Sequence, residues 1–178
     1  MGMDFASVLR MFGDFFESER IRYAVIGGVA VTAWGRVRST KDLDFAVETD
    51  GRLRVIAFAE SIGYETLYAS EAFSNHLHPD PSLGRVDFMY LRGTTAEQVF
   101  SATTEKPLLD DHSLPVASAE HLAMMKGLSM RNDSNRVRYE GEDVRVLLNV
   151  EGVNIEAVRE YYRSLGMLEF IDAIIKAR

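Results

Sequence analysis

The chain has 178 residues, of which 47% are hydrophobic and 26% charged, with a net charge of −7. That supports one domain with a real core, with room for a small helical appendage, and it makes general binding of nucleic acid through neutralised phosphates a poor expectation. Cysteine is absent, which excludes disulfides, thiolate metal sites and cysteine nucleophiles together.

Residues 1–20 bring acidic groups early and no basic segment ahead of an apolar stretch, so no signal peptide is expected. No apolar run is long enough to span a membrane. Ala6 stands where myristoylation would want Ser or Thr. The expected location is cytoplasmic.

In chain order, Phe5, Val8, Leu9, Phe12, Phe15 and Phe16 fall at helical spacing and predict an amphipathic helix over 4–18. Residues 21–26, Ile-Arg-Tyr-Ala-Val-Ile, read as a buried strand that Gly27 and Gly28 punctuate. A short helix over 29–34 then ends at Gly35. Asp-Leu-Asp-Phe-Ala-Val, 42–47, alternates polar and apolar and reads as a strand with one buried face. Residues 52–63 predict a helix closed by Gly63, and 64–69 a strand. Residues 70–84 hold two prolines and no clear period, and read as a loop. Residues 85–91 return to strand character. Thr94, with Glu97 three positions on, carries a capping-box signature. Residues 105–118 read as short extended pieces, and helices are expected near 119–130, 141–150, 155–164 and 167–177, with a linker over 131–141 between the first two.

Strand and helix alternate through the first two-thirds and helices fill the rest. The expected fold class is α+β with an α/β-like character, a mixed sheet flanked by helices and a C-terminal helical part. The domain expectation is a core over 1–117 and a helical segment over 118–178.

The chemistry gathers around residues 22–47. In a strand, i and i+2 share a face, so Asp42 and Asp44 project together while Leu43 and Phe45 face the other way. Asp87 stands in a second strand, opposite in face to Val86 and Phe88. If those strands are neighbours, three carboxylates converge. Three hard oxygen donors suit Mg²⁺ or Mn²⁺, and Asp87 is then either a metal ligand or the acceptor of a proton. Gly27 and Gly28 lack a Cβ and let backbone amides approach an anion. Arg36, Arg38 and Lys41 add positive charge nearby. The glycine pair fits neither a Walker A loop nor a dinucleotide fingerprint.

Each part also has a plain structural reading. Asp-Leu-Asp is a common solvated strand sequence, Gly-Gly a common turn, and Arg36 fits a solvated basic loop. His76 and His78 stand two apart on the expected loop near Asp80 and lack further ligands at metal-binding spacing. Trp34 reads as helix packing. The combination carries more than any part.

That combination resembles the nucleotidyltransferase superfamily of DNA polymerase β, and in detail its minimal and AbiEii-like bacterial branch. The residues that carry the likeness are Gly27, Gly28, Ala30, Gly35, Arg38, Thr40, Asp42 and Asp44, followed by Asp87. The resemblance covers about residues 20–150 and implies a mixed-sheet nucleotidyltransferase core. It implies that Gly27 and Gly28 hold nucleotide phosphates, with Arg38 and Thr40 in the same nucleotide-binding motif. Asp42, Asp44 and Asp87 would bind Mg²⁺ or Mn²⁺. A weaker match nominates Lys126 and Asp143 as nucleotide contacts, and an ion pair tying two helices explains that pair as well. The implied activity is transfer of a nucleoside monophosphate from an NTP to an acceptor hydroxyl on tRNA, a protein or a small molecule. A toxin role, paired with an antitoxin protein, belongs to the same branch. The alternative is a catalytically silent copy of the fold that binds a nucleotide or a partner.

Overall fold

The computed structural model describes residues 2–178. Its order is α1 (Phe5–Ser18), β1 (Tyr23–Ile26), α2 (Gly27–Ala33), β2 (Asp42–Glu48), α3 (Arg52–Ser61), β3 (Glu65–Ala69), β4 (Phe73–Leu77), β5 (Arg85–Leu91), α4 (Gly93–Ser101), β6 (Thr104–Lys106), β7 (Leu114–Val116), α5 (Ala119–Asn132), α6 (Val137–Leu147), α7 (Ile155–Ser164) and α8 (Leu168–Lys176). Among the described residues no helix is long and apolar enough to cross a membrane. The mixed α+β class expected from the sequence is the class observed.

The strands form one sheet in the order β3-β4-β5-β2-β1-β7-β6. β2–β5 and β1–β7 are parallel pairs and the remaining neighbours antiparallel. Two compact units divide the chain, residues 1–30 with 38–117 and residues 31–37 with 118–178.

In the first unit, α1 buries Val8, Leu9, Phe12 and Phe16. Asp4 caps it by accepting from the Ser7 amide at 3.1 Å. Phe12 is the hub of an aromatic core, with ring centroids 5.3 Å from Phe88, 5.6 Å from Phe58, 5.8 Å from Tyr64 and 5.9 Å from Phe45. Tilted and edge-on rings at this spacing are the arrangement aromatic quadrupoles favour. This packing fixes which face of β2 and β5 is buried. The opposite residues of each strand are therefore available for chemistry.

The expected loop over 70–84 holds strand β4. Its inward residues are polar, Ser74 and His76, both fully buried, so hydrophobic alternation hides it. The polar groups satisfy one another in a chain. Glu60 accepts from Thr66 Oγ1 at 2.7 Å, so Thr66 accepts from His76 Nδ1 at 3.1 Å. Nε2 then accepts from Ser74 Oγ at 2.8 Å, which in turn accepts from the Tyr90 hydroxyl at 2.6 Å. One orientation of every proton follows from the carboxylate at the end. His78 is partly buried: its ring packs edge-on against Tyr64 at 5.0 Å, and Nδ1 accepts from the Asp80 amide.

Two further expectations change. Thr94 does not cap α4, whose N-cap is Arg92 without a side-chain bond. Glu97 is instead drawn to Arg22, which it shares with Glu48. The linker expected over 131–141 is mostly helix: α5 runs to Asn132, a single 3₁₀ turn covers Ser134–Arg136, and α6 starts at Val137.

In the second unit, Ser118 caps α5 by accepting from the His121 amide. Gly127 leaves room for the Tyr162 ring, where a Cβ would lie 2.7 Å from Cζ. Tyr162 is fully buried and donates to the Ala123 carbonyl at 2.9 Å.

Burial holds the His76 imidazole below its ordinary value of 6.5, against smaller opposing effects of Glu60 and Asp87. The unfolded chain therefore binds the proton more readily than the folded one. His76 contributes its full stability above pH 6.5 and loses it as the pH falls through the folded value. The urea midpoint is expected to drop between pH 7.5 and pH 5.5, and to drop less in His76→Gln. Equal slopes in the two proteins would show that His76 does not carry the effect.

Candidate active site

β2 and β5 pair in parallel with Asp42 opposite Arg85 and Asp44 opposite Asp87. Parallel partners share a face, so the three carboxylates and one guanidinium meet on the face that the aromatic core leaves open. Asp42, Asp44 and Asp87 each present a carboxylate oxygen, and these oxygens all lie within 4.8 Å of one another. All three residues are partly exposed.

Like charges this close need compensation. Thr40 Oγ1 donates to Asp42 Oδ1 at 2.8 Å, and so fixes the first carboxylate from the preceding loop. Arg85 Nε donates to both oxygens of Asp87, at 2.9 and 3.1 Å. Asp87 first, and then Asp42 and Asp44, raise the Arg85 guanidinium above its ordinary value. Sequence reasoning did not single out Arg85. The parity rule that paired Asp42 with Asp44 would have found it, since Arg85 is i−2 from Asp87.

The donor set fits a hard divalent cation. Bonds of about 2.1 Å place opposite octahedral ligands about 4.2 Å apart, so three oxygens within the observed span close on one ion with small adjustments. Asp42, Asp44 and Asp87 are the residues that would hold it.

The glycines serve this cluster directly. Gly27 has φ +67°, and a Cβ there would lie 1.9 Å from Asp44 Oδ2. Ile26, its neighbour, is the β1 partner of Asp44, so the turn into α2 crosses over the carboxylate. A Cβ on Gly28 would lie 2.7 Å from Thr40 Oγ1, the group that fixes Asp42. Both glycines therefore make room for the residues that build the site.

Arg38 lies beyond α2, and its Nε donates to the Ser39 carbonyl at 3.4 Å. Arg36, read from the sequence as a basic loop, is largely buried in the second unit, with its side chain 22% exposed. There it ion-pairs with Asp143 Oδ1 and donates to the Tyr139 carbonyl.

Asp143 is fully buried, and Lys126 Nζ lies 3.1 Å from its Oδ2 and 3.6 Å from Glu140 Oε1. Arg136 reaches Glu140 at 3.2 Å. Lys126, Asp143 and Glu140 thus tie α5 to α6 in a nearly dry ion network. Glu140 Oε2 is buried without a hydrogen-bond partner among the described residues.

Gly27→Ala would force a side chain into the left-handed region, at about 1–2 kcal/mol, and drive its Cβ into Asp44. The expected outcome is a folded protein by circular dichroism whose Mn²⁺ affinity, by electron paramagnetic resonance, falls at least tenfold. Lys126→Met removes one partner from a buried carboxylate, a change worth up to about 3–5 kcal/mol, reduced here by Arg36. A melting temperature lower by several degrees is expected. An unchanged melting temperature with weakened ATP binding would assign Lys126 to the nucleotide instead.

No protein-family model matches the chain, and no curated protein matches it. Solved structures do. The lincosamide antibiotic adenylyltransferase LnuA, bound to lincomycin, superimposes with a TM-score of 0.61 at 17% identity, over 84% of this chain and 99% of that one. ANT(2″)-Ia in complex with adenylyl-2″-tobramycin gives 0.65 at 12% identity, over 90% and 97%. An antigenic nucleotidyltransferase-like protein from Paracoccidioides brasiliensis gives 0.61 at 16%, over 97% and 92%. The chain has the nucleotidyltransferase fold.

Proposed function

We propose that the chain is a metal-dependent nucleotidyltransferase that moves a nucleoside monophosphate from an NTP to an acceptor hydroxyl. The observation that carries this reading is the meeting of Asp42, Asp44 and Asp87 on adjacent strands of a fold shared with nucleotidyltransferases. The acceptor oxygen attacks the α-phosphorus, its bond to the pyrophosphate oxygen breaks, and pyrophosphate leaves with the electron pair. The hydroxyl proton passes to Asp87 or to water.

Mg²⁺ or Mn²⁺ held by the three aspartates would supply charge neutralisation for the phosphates and orient attacking and leaving oxygens. Thr40 keeps Asp42 in place for that task. Gly27 and Gly28, which crowd against Asp44 and Thr40, would present their backbone to the phosphates. Arg38 would add charge on that side. The AbiEii-like branch, a toxin role and an antitoxin partner rest on the sequence resemblance alone, as do tRNA and protein as acceptors.

A silent, nucleotide-binding copy of the fold is the second reading. The Arg85–Asp87 contact favours it, because the third carboxylate already has a cation.

The test incubates the protein with each labelled NTP, Mg²⁺ and either total RNA, lysate protein or small hydroxylated compounds. Label transfer by the parent, and its loss by a factor of at least about 10³ in Asp42→Asn/Asp44→Asn, supports the enzyme. Metal-dependent NTP binding with no transfer to any acceptor supports the silent copy.

A further inference from the structure

One register row crosses the sheet through the triad: Ile26, Asp44, Asp87, Asn75 and Tyr68 are successive Cα partners on β1, β2, β5, β4 and β3. Gly27 and Gly28 flank one end of this row. The other end, past Asp87, has a different character. Phe73 and Leu77 share the triad face with Asn75, and Phe73 stands opposite Met89. Tyr68 and Phe73 stack with ring centroids 5.1 Å apart and planes at 25°. Both rings are about half exposed, Tyr68 at 51% and Phe73 at 45%, beside Leu77 at 43%. Among the described residues of this unit, every other aromatic side chain is buried or partly buried, so an exposed stacked pair beside a carboxylate triad calls for a cause.

The backbone supplies one. The β3–β4 register slips between Thr66 and Tyr68. In an unbroken ladder Thr66 opposite His76 would put Leu67 opposite Asn75 and turn Tyr68 to the core side. The bulge absorbs Leu67 and brings Tyr68 round to the triad face. Bulges re-aim side chains in this way beside active sites.

We propose that Tyr68, Phe73 and Leu77 form the acceptor subsite, and that its occupant is a small hydroxylated compound with an apolar ring face. This rests on the nucleotidyl-transfer reading of the triad. The two ends of the row divide the labour: the glycine end serves the triphosphate and the aromatic end the acceptor. Tyr68 lies two strand spacings from Asp87, about 10 Å. The occupant therefore carries its reactive hydroxyl about 10 Å from the ring that stacks. Asn75, between Asp87 and Tyr68, offers an amide donor and acceptor along the way. A neutral or cationic compound suits the acidic row and the ring faces. A polyanionic RNA suits it poorly, because Arg85 on this face is engaged by Asp87 and the chain carries −7.

The test places 4-fluorophenylalanine at position 73 and follows the fluorine resonance in the full chain. The protein is held with Mg²⁺ and a non-hydrolysable ATP analogue. Lincomycin, tobramycin and a ten-nucleotide RNA are titrated separately. The proposal expects a saturable shift with at least one of the two small compounds, about tenfold weaker in Tyr68→Ala, with affinity for the ATP analogue unchanged. A variant lacking Leu67 keeps Tyr68 opposite Asn75 and should retain binding. A shift with RNA alone, a shift that follows protein concentration, a shift indifferent to Tyr68→Ala, or none with the small compounds overturns the subsite. Failure of the parent to bind the ATP analogue overturns the nucleotidyl-transfer reading itself, separately from the subsite.

Discussion

The parallel, in-register pairing of β2 with β5 is the constraint on which the site depends. It sets Asp44 directly beside Asp87 and brings Asp42 onto the same face. The sheet holds the carboxylates together despite their mutual repulsion, because the other face of the same strands is locked into the aromatic core around Phe12. Leu43, Phe45, Val86 and Phe88 cannot leave that core without large losses of buried area. The carboxylates are therefore displayed by neighbours whose own side chains lie on the opposite face of the sheet.

Several smaller features answer the electrostatic and steric consequences. Arg85 supplies a cation to Asp87 from the same strand. Thr40 gives Asp42 a hydrogen bond. Gly27 and Gly28 clear the space that Asp44 and Thr40 occupy. Each would look like an isolated detail of a loop or turn. Together they keep three acidic groups ordered at one point. In the second unit acidic groups are buried as well as clustered, and cations answer them: Asp143 and Glu140 are matched by Lys126, Arg36 and Arg136.

Much of this was legible in the sequence, because period-two alternation in Asp-Leu-Asp-Phe and Arg-Val-Asp-Phe reports directly which residues face the core. Strand β4 was not, since Ser74 and His76 point inward and satisfy each other and their neighbours, so the hydrophobic signal is missing where the strand is most buried. The cap on α4 was misread because Glu97 gains more from Arg22, a residue distant in sequence. The crowding of Gly27 against Asp44 depends on the antiparallel register of β1 with β2, which no local pattern encodes. Arg36 looked like a loop cation because its partner, Asp143, lies more than a hundred residues away.

The bulge at Leu67 has a second effect. β3 is the edge of the sheet and leaves Leu67 and Tyr68 half exposed, a combination that invites another chain to extend the ladder. An irregular strand is a poor template, since an incoming straight strand cannot match both sides of the break. The slip that keeps Tyr68 on the carboxylate face despite the extra residue thus also spoils the edge for self-association. Deleting Leu67 would straighten the strand, leave the aromatic face intact and make the protein more prone to aggregate.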